Sequence, residues 1–302
     1  AARFLLQQTA LWPIARKSGA TCLMHFGNYV ARGNDLPQFV VIHDAFLWSR
    51  HAPAGTSYRV KRSLQASAAR RASAVFTVSE FSKREISAQC DVDPSRITVL
   101  GNALSPSFLR QMREPSIRPA PPVPYLLFVG QALPHKRVDR VLQLFSRIRA
   151  RHRCQLKLVG RGQTEWWQAH RHLCEYPDDV AVDDFVSERR LIDLYRAAAC
   201  FATLSDYEGF CIPILEAQGC SCPVVVPAAE PFREIAGGGA LYLDRHDLDL
   251  SAELVLELLH SRTAREQLVT RGRANLARYS WELLAQRAIA RMQACDGTGD
   301  CQ

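Results

Sequence analysis

The stretch Ser205–Ala217 reads SDYEGFCIPILEA, and it follows an apolar run, Cys200–Thr203, that predicts a buried strand. Gly209 lies in the loop after this strand, and Pro213 stands where the first turn of a helix is expected. Proline is favoured in that turn because it needs no N–H there and its φ is already helical. The free amides at such a helix start suit a diphosphate, and here they belong to Gly209, Phe210 and Cys211.

Two carboxylates flank this predicted anion site. Glu208 precedes the helix, and Glu216 follows with seven residues between them. A carboxylate is a poor ligand for phosphate because like charges repel, whereas it accepts hydrogen bonds from hydroxyl groups well. We therefore predict that Glu208 faces a sugar ring and that Glu216 faces a ribose. The alternative is a capped helix that carries a solvated glutamate.

Outward from this stretch, short β-rich runs alternate with helical stretches, a pattern typical of parallel α/β architecture. Strands are predicted in two groups. The first comprises Cys22–Phe26, Phe39–His43, Ala74–Val78 and Ile97–Leu100. The second comprises Tyr125–Val129, Gln155–Val159, Val180–Val182, Cys200–Thr203, Pro223–Val226 and Ala240–Leu243. The carboxyl ends of such strands are the usual ligand-binding edge, so a cleft between the two groups is the expected site.

A proline-rich stretch separates the two groups, with five prolines between Pro115 and Pro124. Such a segment is stiff and extended, and it is a good linker. We predict an amino-terminal domain over residues 1–118 and a second domain over residues 119–280. A helical carboxyl end from Leu248 to about Ala294 includes a last segment, residues 281–302, that we expect to pack back toward the first domain.

Composition narrows the class of protein. The 302-residue chain is 47% hydrophobic and 23% charged, values typical of a globular protein. Residues 1–120 hold 16 Lys/Arg against 7 Asp/Glu, a net +9, within a total of +8. This basic half suits an anionic membrane face, an anionic acceptor or nucleic acid, or it is a solvated arginine-rich surface.

The ten cysteines lack zinc-site spacing, and we interpret them as reduced thiols of a cytoplasmic protein.

Several motifs in this order resemble those of a known family. Glu208 to Glu216 resembles the ExxxxxxxE motif of retaining glycosyltransferases of the GT-B fold, glycosyltransferase family 4. The same holds for AVFTVSEFSK (Ala74–Lys83), for ITVLGN (Ile97–Asn102), for FVG (Phe128–Gly130) followed by HKR (His135–Arg137), and for LVGRG (Leu158–Gly162). The resemblance covers about residues 35 to 285. It implies two Rossmann-like domains facing across a cleft, with the first domain shortened at its amino end.

The resemblance also implies roles for single residues. Lys136 matches the lysine that neutralises the donor diphosphate, and His43 in "HD" matches a first-domain histidine near the reacting sugar. Taken alone, Lys136 would be interpreted as an ordinary surface lysine and His43 as a structural histidine. The implied catalytic residues are His43, Lys136 and Glu208. The implied donor-binding residues are Gly130, Arg137, Val186, Gly209, Phe210, Cys211, Leu215 and Glu216.

The chain departs from the family pattern at three places. Gln131 stands where many members have an arginine, so we expect that one phosphate contact is either lost or supplied by Arg137. Cys211 replaces a frequent glycine, which is tolerable because both are small. Members usually carry a further amino-terminal segment with a glycine-rich loop, so the shortened first domain puts catalysis in more doubt than donor binding.

The function implied is transfer of a hexose from a nucleoside-diphosphate sugar, of the GDP-mannose or UDP-glucose type, to a glycan or lipid-linked acceptor, as in polysaccharide biosynthesis. Configuration is retained and no metal or other cofactor is expected. We expect a cytoplasmic location, with peripheral contact to an anionic inner membrane face as an option, and no nucleic-acid partner. The alternatives are a nucleotide-sugar epimerase, a catalytically impaired donor-binding remnant, and a basic membrane or nucleic-acid surface binder.

Overall fold

The computed structural model describes residues 11–31, 36–115 and 121–296. The chain divides into two compact units. The first unit comprises the described parts of Ala1–Asn102 and Trp281–Gln302, and the second unit is the described part of Ala103–Ser280. Within the predicted linker, residues 116–120 lie outside the described residues, as do residues 297–302 of the predicted tail.

The first unit is built on four parallel strands, which lie side by side in chain order. They are β1 (Leu23–His25), β2 (Gln38–Val41), β3 (Ala74–Thr77) and β4 (Ile97–Val99). Phe39 pairs with Ala74, and Val75 pairs with Ile97. Every residue of β2 and β3 is buried, as expected for strands that are covered by helices on both faces.

The helices of the first unit are α1 (Leu11–Lys17), α2 (Thr56–Arg71), α3 (Glu80–Cys90) and α12 (Trp281–Asp296). α3 begins after Ser79, whose hydroxyl accepts a hydrogen bond from the Ser82 amide at 3.0 Å. α12 packs against β3 and β4 although it follows the whole second unit in sequence. Arg287 of α12 also donates to the Leu100 carbonyl at 3.0 Å, so the last helix completes the first unit.

The second unit is built on six parallel strands in the order β10-β9-β8-β5-β6-β7. They are β5 (Tyr125–Val129), β6 (Gln155–Val159), β7 (Val180–Asp183), β8 (Cys200–Ala202), β9 (Val224–Pro227) and β10 (Leu241–Leu243). The chain adds β6 and β7 on one side of β5, and it then adds β8 to β10 on the other side. The strand order therefore reverses between β5 and β8, and a crevice for ligands is expected at the carboxyl ends of these two strands.

Eight helices surround this sheet within the described residues. They are α4 (Pro106–Arg113), α5 (Val138–Arg149), α6 (Gln163–His170), α7 (Glu188–Ala197), α8 (Ile212–Gly219), α9 (Phe232–Ala236), α10 (Leu248–His260) and α11 (Arg262–Asn275). The core of the unit includes Phe128, Phe145, Leu156 and Cys200, all with no exposed surface. The predicted parallel α/β fold class is confirmed.

The helical carboxyl end differs from the prediction because it is three helices. α10 ends at His260, and Ser261 then caps α11 by accepting a hydrogen bond from the Ala264 amide at 3.1 Å. A serine side chain competes for backbone amides in this way, which favours a helix boundary over a helix interior. α11 runs into a short 3₁₀ turn, Leu276–Arg278, before α12 begins at Trp281.

The division between the units falls at residue 102, earlier than the predicted boundary at residue 118. The reason is α4, which packs against α7 of the second unit. Ser105 and Gln111 donate to the two carboxylate oxygens of Glu188 at 2.9 Å and 2.7 Å. These bonds tie the segment before the proline-rich stretch to the second unit.

Two further properties bear on the class of protein. Across residues 11–31, 36–115 and 121–296, no helix is both long enough and apolar enough to cross a membrane. No disulfide joins any of the nine cysteines in the same ranges.

Candidate active site

The turn after β5 and the loop after β8 meet at the point where the strand order reverses. The first is a 3₁₀ turn, Pro134–Lys136, that ends at Arg137 with a φ of 50°. The second leads to Glu208. The amide of Asp206 donates to the carbonyl of His135 at 2.7 Å, which fixes the two segments side by side.

Lys136 and Glu208 form an ion pair at this meeting point. The Lys136 ammonium lies 2.7 Å from both carboxylate oxygens of Glu208. The lysine side chain is 22% exposed and the glutamate side chain 9% exposed, so the pair is largely shielded from water but open on the lysine side. The structure thus brings together two of the three predicted catalytic residues, through a direct contact that the sequence did not reveal.

A second cluster of charges holds the turn in place around Asp206. This carboxylate is 2% exposed and binds Arg137 at 3.1 Å and Arg140 at hydrogen-bonding distance, with Arg245 3.8 Å away. Burial alone would raise the pKa of Asp206, but hydrogen bonds from Arg140 and Arg137 outweigh it and lower that pKa. Arg137 is also bound by Asp139 at 2.7 Å, so its guanidinium is engaged on two sides.

Gly130 and Gly160 end neighbouring strands and pass very close to each other. Gly160 has a φ of 138°, and a Cβ atom placed on it would lie 2.1 Å from the carbonyl oxygen of Gly130. The side-chain amide of Gln163 donates to the same oxygen at 2.9 Å. The backbone position of the predicted donor residue Gly130 therefore requires a glycine at position 160, because any side chain there would collide with the Gly130 carbonyl.

The start of α8 has the geometry that the sequence predicts. Pro213 lies in the first turn, and Cys211 precedes the helix with a φ of 75°, in the left-handed region that favours glycine. The Cys211 thiol is buried, and burial raises its pKa well above the usual value, so it stays protonated. Phe210 packs its ring edge-on against Tyr279 at 5.4 Å, and Leu215 has no exposed surface. These two predicted donor residues therefore place their side chains in the core.

Glu216 lies on α8 and contacts Tyr195 of α7. The Tyr195 hydroxyl donates to Glu216 Oε2 at 2.8 Å. Burial raises the pKa of Glu216, the Tyr195 hydrogen bond opposes that effect, and the nearby charge of Glu188 adds to it. The carboxyl group of Glu216 therefore has a neutral donor as its partner rather than a cation.

Two further predicted residues lie on other segments of the chain. Val186 is half-exposed in the loop between β7 and α7, directly before Ser187, which caps α7 by accepting from the Arg190 amide at 3.2 Å. His43 lies two residues beyond β2 in the first unit, with an exposed side chain. The Thr77 hydroxyl donates to the His43 carbonyl at 3.3 Å, which holds the backbone and leaves the ring accessible.

Three residues with clear structural roles were missed at the level of sequence: Tyr195, Asp206 and Arg140. Asp206 stands inside the stretch that decided the fold, two positions before Glu208, and this proximity was a usable signal. Tyr195 occupies an apolar position of a helix that reads as ordinary core. Its contact with Glu216 joins residues 21 positions apart, and no local pattern reports that.

Comparison with known proteins shows the family of this chain. The family model described as glycosyl transferases group 1 matches residues 113–275, and the model described as Glycosyltransferase Family 4 matches residues 4–108. The chain is 29% identical over 232 residues to the O-antigen chain mannosyltransferase B of Escherichia coli, covering 71% of this chain and 59% of that protein. The chain thus spans about three fifths of the length of this relative.

Two solved structures have a similar fold. Sucrose-phosphate synthase from Thermosynechococcus elongatus matches with a TM-score of 0.72 at 16% identity, over 96% of this chain and 77% of that one. Anabaena Alr3699/HepE in complex with UDP and glucose matches with a TM-score of 0.71 at 16% identity, over 93% of this chain and 80% of that one. At this level of identity the likeness supports the fold alone, which is of the GT-B type.

Proposed function

Because the chain belongs to the glycosyl transferases group 1 family, we propose that it transfers a hexose from a nucleoside-diphosphate sugar to a glycan or lipid-linked acceptor. The observation that carries this proposal is the Lys136–Glu208 ion pair at the reversal of the strand order, where Lys136 Nζ lies 2.7 Å from both carboxylate oxygens. In this pair, a cation that can bind the leaving diphosphate lies beside a carboxylate that can bind sugar hydroxyls.

The proposed chemistry assigns one task to each member of the pair. Negative charge grows on the diphosphate as the bond to the sugar breaks, and Lys136 stabilises that charge in a site partly shielded from water. Glu208 accepts hydrogen bonds from hydroxyls of the sugar. The donor thereby replaces the contact between the two side chains with contacts of its own, and neither charge is left buried without a partner.

The rest of the donor is held by the second unit. Gly130 and the segment Gly209–Cys211 offer backbone to the phosphates, Glu216 accepts from the ribose, and Val186 contacts the base. The interaction of Arg137 with the diphosphate would require it to keep or exchange its bonds to Asp139 and Asp206. We propose that this guanidinium acts chiefly by holding Lys136 in place and by its long-range positive charge.

We further propose that transfer retains the configuration of the sugar and needs no metal. In this account Lys136 and the backbone amides before α8 supply the charge stabilisation that a cation would otherwise give. His43, accessible at the end of β2, contacts the donor or the acceptor. We also propose a cytoplasmic location.

The donor we favour is GDP-mannose, with UDP-glucose as the alternative. The relative described above is a mannosyltransferase, whereas one structural neighbour was solved with UDP and glucose. The test is to incubate the chain with each sugar nucleotide and methyl α-mannoside, with and without EDTA, and to follow nucleoside diphosphate release. Glycoside formation with retained anomeric configuration in EDTA is the expected result.

Other outcomes of the same assay favour other functions. An epimerised sugar nucleotide formed without acceptor would indicate an epimerase. If the chain binds the nucleotide but releases no nucleoside diphosphate, either with methyl α-mannoside or with lipid-linked acceptors, it would be an impaired donor-binding remnant. Glu208→Gln serves as the matched inactive control, because it keeps the shape of the side chain and removes its charge.

A surface-binding function of the basic first unit has weaker support. α2 carries five cations, and three of them donate to carbonyls within the unit: Arg62 to Leu47, Arg70 to Cys90 and Arg71 to Ala31. Arg59 and Lys61 remain exposed, beside Val60 with 51% exposure. We propose that these three residues contact an anionic membrane face. The test is sedimentation with phosphatidylglycerol vesicles, where Lys61→Glu should reduce binding.

A further inference from the structure

Tyr195 is a fully buried tyrosine whose hydroxyl points at a predicted ligand-binding carboxylate. Its side chain has no exposed surface, and the hydroxyl lies 2.8 Å from Glu216 Oε2. The ring meets Phe201 of β8 edge-on, with centroids 5.9 Å apart and planes at 64°. The ring is therefore held by the sheet while its hydroxyl reaches α8.

The hydrogen-bond inventory of this contact is simple. A tyrosine hydroxyl has one hydrogen to donate, and an ionised carboxylate only accepts, through two oxygens. In the described part of the chain, the Glu216 carboxylate has one hydrogen-bonding partner, the Tyr195 hydroxyl, which occupies one of its oxygens, Oε2. Glu216 is half-buried, so the other oxygen can face a ligand.

We propose that Tyr195 is a positioning residue for nucleoside recognition, which fixes Glu216 so that its second oxygen accepts a hydrogen bond from a ribose hydroxyl of the donor nucleotide. This inference rests on the proposed function. A carboxylate on a glutamate side chain would otherwise sample several rotamers, and fixing it in advance reduces the cost of ordering it when the ligand binds. Tyr195 itself does not touch the ligand.

The groups around Glu216 give this role a pH signature. Besides Tyr195, these are Glu188 of α7 and the thiols of Cys211 and Cys220 at the two ends of α8. Burial raises the pKa of Glu216, Tyr195 lowers it, and Glu188 raises it. Burial also raises the pKa of Tyr195 well above the usual value, so its hydroxyl remains a donor across the working pH range.

The first experiment compares UDP and GDP with their 2′-deoxy and 3′-deoxy analogues by calorimetry at pH 7. For the wild-type chain, one deoxy analogue should bind about tenfold or more weakly, because a hydrogen bond to a charged group is lost. In Tyr195→Phe that ratio should fall to about threefold or less. Tyr125→Phe is the matched control: Tyr125 is also buried, and its hydroxyl donates to the Leu194 carbonyl at 2.7 Å rather than to Glu216. It should keep the full ratio.

The second experiment follows nucleotide affinity as pH falls. Affinity should drop as Glu216 becomes protonated, since a protonated oxygen accepts less well. Tyr195→Phe removes a contact that lowers the pKa of Glu216, so the drop should move to higher pH. Glu188→Gln removes a charge that raises this pKa, so the drop should move to lower pH, which identifies Glu216 as the titrating group. The shift in Tyr195→Phe is the result that a merely structural role for Tyr195 would not predict.

The outcomes separate the inference from its premise. An unchanged deoxy ratio in Tyr195→Phe, with nucleotide still bound, would overturn the positioning role and leave the proposed function intact. Failure of the folded wild-type chain to bind any nucleotide would overturn both. If Tyr195→Phe does not fold, Tyr195→Met removes the same hydroxyl and fills the space with a flexible apolar side chain. An unchanged deoxy ratio in that variant would contradict the inference.

Discussion

At the scale of single residues, the site combines two carboxylates whose partners differ in charge. Glu208 has a cation in direct contact, whereas Glu216 has a tyrosine hydroxyl. A cation can move to the diphosphate when the donor binds, whereas the hydroxyl stays where it is. The first arrangement suits the reacting end of a nucleotide sugar, and the second suits the nucleoside end, which does not change during transfer.

The ion pair predicts non-additive stability changes. Lys136→Met should lower the free energy of unfolding by about 2–3 kcal/mol, because the Glu208 carboxylate is left largely buried without its counter-charge. Adding Glu208→Gln to that variant should restore about 1 kcal/mol or more, since no charge is then unpaired. Urea unfolding at pH 7 measures both. Equal, additive losses from the two substitutions would contradict a coupled pair.

Glu216 predicts a conflict between stability and binding. The pKa of this carboxyl is raised in the folded chain above its ordinary value of 4.5. A raised pKa favours folding below that ordinary value, and the benefit is lost as pH rises through the folded value. Glu216→Gln should therefore be more stable than wild type at pH 7, with the difference shrinking toward pH 4, while nucleotide affinity falls.

Thermal unfolding between pH 4 and pH 8 tests this point. The matched control is Glu266→Gln, which removes an exposed charge on α11 and should leave the pH dependence of stability as it is. A Glu216→Gln variant less stable than wild type throughout the range would show that the ionised carboxylate stabilises the fold.

At the scale of elements, the site depends on two close approaches of backbone. The turn after β5 and the loop after β8 are joined by the Asp206 amide, and β5 and β6 end where Gly130 passes Gly160. The sequence predicted each strand and each glycine-bearing turn. It did not predict which turns would touch, because contacts between segments tens of residues apart leave no local periodicity.

The glycines predict different tolerance to one added methyl group. Gly160→Ala should destabilise the chain by about 3 kcal/mol or more, because the new Cβ would lie 2.1 Å from a backbone oxygen and the φ of 138° is strained for alanine. Gly162→Ala should cost only about 1–2 kcal/mol. Its φ is 80°, but the nearest atom, Ala132 Cβ, is 3.8 Å away. Urea midpoints for the two variants compare them directly, and equal losses would contradict the close approach.

Helix starts were the most predictable feature of the site, and helix ends the least. Pro213 located the start of α8 because its chemistry is local. The break after His260 was missed because the segments on both sides of Ser261 are rich in residues that favour helices. The engagement of Arg137 by Asp139 and Asp206 was also missed, since the sequence fixes neither the turn nor its φ of 50°.

At the scale of the whole molecule, the predicted donor residues all lie in the second unit. Apart from His43, every residue predicted for the site belongs to Ala103–Ser280. The strands of this segment form one sheet with its own hydrophobic cluster. A segment with its own core can fold separately.

This organisation predicts that residues 103–280 fold and bind nucleotide when expressed separately. A segment that starts at residue 119 is the matched control, because it lacks α4 and the bonds from Ser105 and Gln111 to Glu188. It should unfold at lower urea concentration, as α7 loses a packing partner. Equal midpoints for the two segments would contradict the boundary at residue 102.

The most direct test of the donor site is calorimetric titration of the purified chain with GDP, UDP and their common sugar conjugates. We expect one nucleotide to bind with micromolar affinity, and we expect Glu216→Ala and Lys136→Ala each to weaken that affinity at least about tenfold. Lys61→Ala, an exposed cation of the first unit, should bind as wild type does. A folded chain that binds neither nucleotide, or binds with the same affinity in all four forms, would contradict the assignment of the site.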